Sequence, residues 1–171
     1  KELNNRIRAT NKKLNIIEKN IVDSSSRLYS REYFLDCMKS MLNRARNEKA
    51  TVGFLMIRLK KVHFNEGDGS PGELEKFRTD LIRELGLRLE SFIRESDMLC
   101  RFDDSSILLM IPEFNAKSTL MFQARITDDL NRVLIDFETG RRLYSDIEFR
   151  TLIFPEDVDS AESVVKAFET V

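Results

Sequence analysis

Five apolar residues and one threonine recur near the start of the chain at alternating spacings of four and three: Leu3, Ile7, Thr10, Leu14, Ile17 and Ile21. This is an a/d seam, and the positions between are mainly Lys, Arg, Asn and Glu. Residues 1–22 therefore predict a helix with one narrow apolar stripe. Such a stripe fits a parallel coiled coil that joins the domain to something upstream; a helix packed on its own domain is the other reading. Asp23-Ser24-Ser25-Ser26 ends the pattern, because small polar side chains compete for backbone hydrogen bonds. Ser30 offers an N-cap for a helix to about Asn47, with Phe34, Met38, Met41, Leu42 and Ala45 on one face. Thr51 to Leu59 is β-branched and apolar and predicts a central strand. A polar loop covers 65–72, and Leu74, Phe77, Leu81, Leu85, Leu89 and Phe92 then line one face of a helix from about Glu73 to Ile93.

Two apolar runs, Met98–Cys100 and Ile107–Ile111, are separated by small polar residues and predict a β-hairpin with its tip at Asp103-Asp104. Pro112 ends it, and Asn115 caps a helix to about Arg132. Leu134 to Tyr144 reads as a peripheral hairpin around Thr139-Gly140. Ile147 to Phe154 reads as the last core strand, with a short helix over 161–169, capped by Ser160, after it. Without its extras this is β-α-β-β-α-β, a ferredoxin-like α+β core. The loop at 65–72 contains a literal G-x-G-x-x-G. Its glycines lie beyond the strand and not in a tight turn, and Pro71 lacks a backbone donor, so it reads as a flexible loop and not a dinucleotide cradle.

The 171 residues suffice for one domain, 23–171, plus the helix at 1–22. A net charge of −1 carries no basic excess of the kind a nucleic-acid binder shows. Cys37 and Cys100 both sit in apolar patterns and read as buried thiols in a reducing compartment. His63 is the sole histidine, which leaves almost no material for histidine metal sites or Ser-His-Asp triads. No apolar run approaches the length of a membrane span, and no signal peptide is visible, so no membrane contact is expected of this chain. A cytoplasmic location is expected, for the chain itself or as the cytoplasmic part of a larger, membrane-attached protein.

Several stretches carry a family resemblance. Asp23, Leu28, Arg31 and Phe34 fall at matching positions of the D-x-L-T-G-L-x-N-R-R-x-F opening of GGDEF domains. Phe54 to Lys60 resembles that family's first strand, which usually ends in Ile-Asp-x-Asp. Arg94-Glu95-Ser96-Asp97 and Arg101 resemble the lead-in to its signature hairpin. Ile111-Pro112 and Gln123-Ala124-Arg125-Ile126 resemble the family's strand end and helix on the far side of that hairpin. Over roughly residues 23–169 the chain thus resembles the GGDEF (diguanylate cyclase) family, and residues 1–22 look like the signalling helix that often precedes such domains.

The resemblance implies a domain that joins two GTP molecules into cyclic di-GMP with the help of divalent metal. Here Asp103-Asp104-Ser105-Ser106-Ile107 stands where the family has Gly-Gly-Asp/Glu-Glu-Phe. Arg58 stands at the first-strand metal position, Lys60 at the next acidic one, and the Lys/Arg pair late in the last helix is absent. A cation repels a metal, serine is a weak ligand, and acidic side chains in place of glycines repel a triphosphate. The expectation is a degenerate domain with no bound Mg²⁺, no cofactor and no cyclase activity. Asp103 and Asp104 are read as a solvated turn, or else as weak ligands that, with Glu73, could serve slow nucleotide hydrolysis. The family's product-inhibition site is an Arg-x-x-Asp five residues before the signature, which Arg94 and Asp97 match; Arg125 matches a further arginine. The expected function is a cyclic di-GMP receptor that signals through a homodimer formed by Leu3, Ile7, Leu14, Ile17 and Ile21, with a possible protein partner in a cyclic di-GMP pathway. The alternative is an interaction module that binds no nucleotide.

Overall fold

Ser30 caps the first helix, α1 (Arg31–Glu48), by accepting from the Tyr33 amide at 3.2 Å, and Lys49 ends it in the left-handed region at φ 54°. In the structure, a computed structural model, the described residues are 21–64, 70–114, 120, 123–124, 127, 134–135 and 142–169. The predicted helix seam before Ile21, the 65–69 part of the loop, and most of the predicted helix at 115–132 lie outside them. After α1 come β1 (Val52–Phe64), α2 (Pro71–Glu90), β2 (Met98–Asp103), β3 (Ser106–Pro112), β4 (Leu134–Ile135), β5 (Arg142–Phe154) and α3 (Ala161–Glu169).

The strands form one antiparallel sheet in the order β2-β3-β1-β5-β4, the ferredoxin-like order with one short strand added at an edge. Both faces are covered, which is why β1 reads as a continuous apolar run. Phe54, Met56, Cys100, Phe102, Leu108 and Met110 face α1 and α3. Leu55, Ile57, Leu99, Ile107 and Leu109 face Leu81, Ile82, Leu85 and Leu89 of α2. Because side chains alternate along a strand, Arg58 continues the Phe54–Met56 face and so reaches α3.

Five boundaries differ from expectation. α2 begins at Pro71, where Ser70 and Glu73 close a capping box, and ends at Glu90, so Arg94 is in the turn beyond and not at a helix end. β1 and β5 run to Phe64 and from Arg142, because the two strands continue to pair past a bulge between Leu59 and Lys61. The expected peripheral hairpin is thus β4 with the start of β5. The tip of the central hairpin is Asp104-Ser105, one residue later than expected. Neither tip residue has the positive φ of a primed turn, and the register shifts between Arg101 and Asp103 instead.

The segment between Ile21 and Ser30 lies along the edge of β2. Tyr29 bridges β2 in parallel, donating to the Leu99 carbonyl at 3.2 Å and accepting from the Arg101 amide at 3.2 Å. Leu28 sinks beside α2, where a Cβ on Gly86 would stand 2.8 Å from its Cδ2. Among the described residues no helix is long and apolar enough to cross a membrane.

Candidate functional site

Two places on the domain gather polar side chains. The first is the end of the sheet beneath the hairpin tip. Asp103 turns its carboxylate inward: Oδ1 accepts from the Ser105 amide at 2.8 Å and from Ser106 Oγ at 2.6 Å. Ser106 is fully buried and is the cross-strand partner of Arg58. The Arg58 guanidinium donates to Ser106 Oγ at 3.3 Å and to the Phe168 carbonyl at 3.0 Å, and lies 3.7 Å from Asp103 Oδ2. Arg150 donates to the Ala167 carbonyl, and Arg31 pairs with Glu169. Three guanidiniums thus meet the last turn of α3, where free carbonyls and the helix dipole present negative charge.

This end does not fit the divalent metal that the resemblance implies. Mg²⁺ takes hard oxygen ligands in a tight octahedron. Here a guanidinium supplies the positive charge beside Asp103, and Ser106 is spent on that pair. Asp104 is on the surface, paired with Arg101 at 3.3 Å. Among the described residues no group of three or more Asp, Glu, His or Cys side chains is placed to hold a metal ion. At this turn Asp104 is exposed and Asp103 half-buried, while Ser106 and Ile107 are buried.

The second place is a surface cavity of about 410 Å³ between the turn after α2 and the segment before α1. The structure brings Arg94 and Asp97 to it together. Among the described residues Asp97 pairs with no guanidinium: its Oδ2 accepts from the Arg94 amide at 2.8 Å, and its Oδ1 is buried without a hydrogen-bond partner among them. Such an orphaned acceptor is costly and marks a place where a donor is wanted. Arg125 lies outside the described residues. The cavity is also lined by Arg27 and Tyr29, which sequence reasoning passed over; the hint was an arginine and an aromatic in an otherwise small-residue break.

Beside the cavity, Asp23 organises the segment. Its Oδ1 accepts from Ser25 Oγ at 2.6 Å, from the Ser26 amide at 2.8 Å and from Ser26 Oγ at 2.7 Å, with Arg101 Nη1 at 3.5 Å. Burial pushes the carboxyl up, but the Ser25 and Ser26 bonds and the Arg101 charge outweigh it and hold the pKa at about 2, against an ordinary 3.8. A depressed carboxylate stabilises the fold fully above its unfolded pKa and loses that contribution as pH falls through the folded one. Asp23→Asn is expected to cost about 1–2 kcal/mol at neutral pH, and the difference from the parent should shrink between about pH 4 and pH 2. Denaturant unfolding of both proteins across that range reads it; a constant difference would remove Asp23 as its source. Of the two cysteines, Cys100 is buried, which pushes its thiol well up, while Cys37 is only half-buried, less than the apolar pattern suggested.

A model of the family described as "Diguanylate cyclase, GGDEF domain" matches residues 20–171. The chain belongs to this family. Its fold is similar to that of a sensory box/GGDEF family protein from Caulobacter crescentus, at 17% identity and a TM-score of 0.70, over 85% of this chain and 91% of that one. It is also similar to the GGDEF domain of DgcB from the same organism, solved in complex with c-di-GMP (14% identity, TM-score 0.64, 85% of this chain and 81% of that one). A third structure is the diguanylate cyclase SiaD from Pseudomonas aeruginosa in complex with its activator SiaC (15% identity, TM-score 0.58, 99% of this chain and 66% of that one). No curated protein matches the sequence.

The family match corrects one expectation. The replacements at positions 58, 60 and 103–106 and the missing Lys/Arg pair late in the last helix led to the expectation of a chain that is not an enzyme. A match to a cyclase family along 20–171 does not support that step. Side-chain replacements near a hairpin describe local chemistry, and a whole domain's activity does not follow from them alone.

Proposed function

We propose that this GGDEF domain takes cyclic di-GMP as a regulatory ligand in the cavity at Arg94 and Asp97, with Arg125 as a third contact. The observation that carries this reading is the meeting of Asp97 with Arg94, which has no charged partner among the described residues, in the lining of one cavity. A carboxylate oxygen suits the N1–H and N2–H edge of guanine, and a guanidinium suits phosphate or the guanine N7/O6 edge. The c-di-GMP complex of the DgcB domain supports the choice of ligand. Two copies of the chain meet through the seam of Leu3, Ile7, Leu14, Ile17 and Ile21, and the SiaD–SiaC complex supports a protein partner as a further means of control. Guanidinium and carboxylate contacts need no metal, so the regulatory site works without metal or cofactor.

Calorimetry with cyclic di-GMP tests the reading. Binding at low micromolar ligand is expected, with Arg94→Ala and Asp97→Asn each weakening it by about tenfold or more, the worth of one charge-assisted hydrogen bond. No binding at tens of micromolar, or binding that ignores Arg94→Ala, overturns it. In sedimentation the same preparation should be a dimer that becomes monomeric when residues 1–22 are removed.

A further inference from the structure

The cavity has two walls of different origin. One is the turn that carries Arg94 and Asp97. The other is the segment before α1, which contributes Arg27 and Tyr29. We infer that Arg27 and Tyr29 are ligand-contacting residues of this site, so that a bound guanine nucleotide fixes the entry segment against the sheet edge. This rests on the reading of the cavity given under Proposed function and adds to it the means by which ligand acts on the predicted N-terminal helix.

Chemistry supports the assignment. Arg27 is exposed, is held at φ 68°, and has no partner for its guanidinium among the described residues. With Arg94 it places a second guanidinium at the cavity. Tyr29 is a large ring left 37% exposed, with Tyr33 beside it at 5.2 Å between ring centres. A half-exposed ring at the mouth of a polar cavity is a platform on which a base can stack. The cavity also carries Glu90 and Glu95 besides Asp97, a lining of mixed sign. Such a lining suits a ligand with both anionic groups and adjacent N–H donors, as a guanine nucleotide has, better than a simple polyanion. The volume of about 410 Å³ lies in the range of small-molecule sites, roughly 300–1,000 Å³.

Geometry supplies the coupling. Tyr29 is tied to β2 through both backbone groups, and the next residue, Ser30, donates to the Ile21 carbonyl at 2.7 Å. Ile21 is the last residue of the predicted seam. A ligand that bridges Tyr29 and Asp97 therefore holds the end of that helix to the edge of the sheet. Without ligand the segment is held by the backbone bonds of Tyr29, the burial of Leu28 and the Arg101 contacts to Asp23 and Ser25, and ligand adds to these.

The test uses the full chain and cyclic di-GMP. Tyr29→Ala should weaken binding by about tenfold and Tyr29→Phe by less than about twofold, since stacking needs the ring and not the hydroxyl. Arg27→Ala should weaken it by about five- to tenfold. Ligand should slow amide hydrogen exchange at Tyr29 and Ser30. If the parent binds nothing, the proposed function fails and this inference with it. If the parent binds and Arg94→Ala abolishes binding, while Arg27→Ala and Tyr29→Ala bind within twofold and exchange at Tyr29 and Ser30 is unchanged, this inference alone is overturned.

Discussion

Phe168→Ala is expected to lower folding stability by about 3–5 kcal/mol, the usual cost of emptying a fully buried aromatic site. Phe168 is 0% exposed and carries α3 onto the sheet. Its ring meets that of Phe102 edge-on, with centres 6.4 Å apart and planes at 73°, and the Arg150 guanidinium lies 5.9 Å from its centre. Truncation removes the buried area, the ring pair and the anchor of the helix end that receives Arg58 and Arg150. In a domain of this size such a loss lowers Tm by about 10 °C or more. Phe168→Leu, which keeps most of the volume, should cost about a third as much. Thermal and urea unfolding of both variants give the comparison. A loss below about 1 kcal/mol for the alanine variant would mean that α3 is not held by this contact.

Arg58→Asp is the second large effect, and it also probes metal binding at the hairpin end. The change removes the donor to the Phe168 carbonyl and to Ser106 Oγ, and puts a carboxylate near Asp103. Breaking a buried charge pair costs about 3–5 kcal/mol, but Arg58 and Asp103 are 17% and 39% exposed, so about 2–3 kcal/mol is expected here. Two facing carboxylates then make a place for a divalent cation. Mn²⁺ at a hundred times its dissociation constant would return about 2.7 kcal/mol by mass action. The variant should therefore regain Tm in millimolar Mn²⁺, whereas the parent and Arg58→Met should not respond. A parent whose Tm rises with Mn²⁺, and loses that rise on Asp103→Asn, would show that metal is held at this end after all.

Much of the architecture was legible because it depends on local rules. The Phe34–Met38–Leu42–Ala45 stripe made α1, Ser30 and Ser70 made caps, and the apolar runs in 54–59 and 107–110 made strands covered on two faces. The strand and helix order then leaves few arrangements, and the ferredoxin-like one is observed. Boundaries were less legible because they depend on a partner. β5 begins at Arg142 although its first residues look peripheral, since β1 continues beside it. Pro71 looked like an obstacle in a loop and is the first residue of a capped helix.

The family, the order of elements and the placing of Arg94 and Asp97 in one turn could be read from spacing along the chain. What surrounds those residues came from the packing of distant elements. It turned Asp103 inward to Ser106 and Arg58, brought three arginines from α1, β1 and β5 to the end of α3, and laid Arg27 and Tyr29 across from Asp97. These neighbours are up to 138 positions apart in the chain. Their meeting is set by the burial of both faces of the sheet and by the edge bonds of Tyr29, which no local pattern encodes.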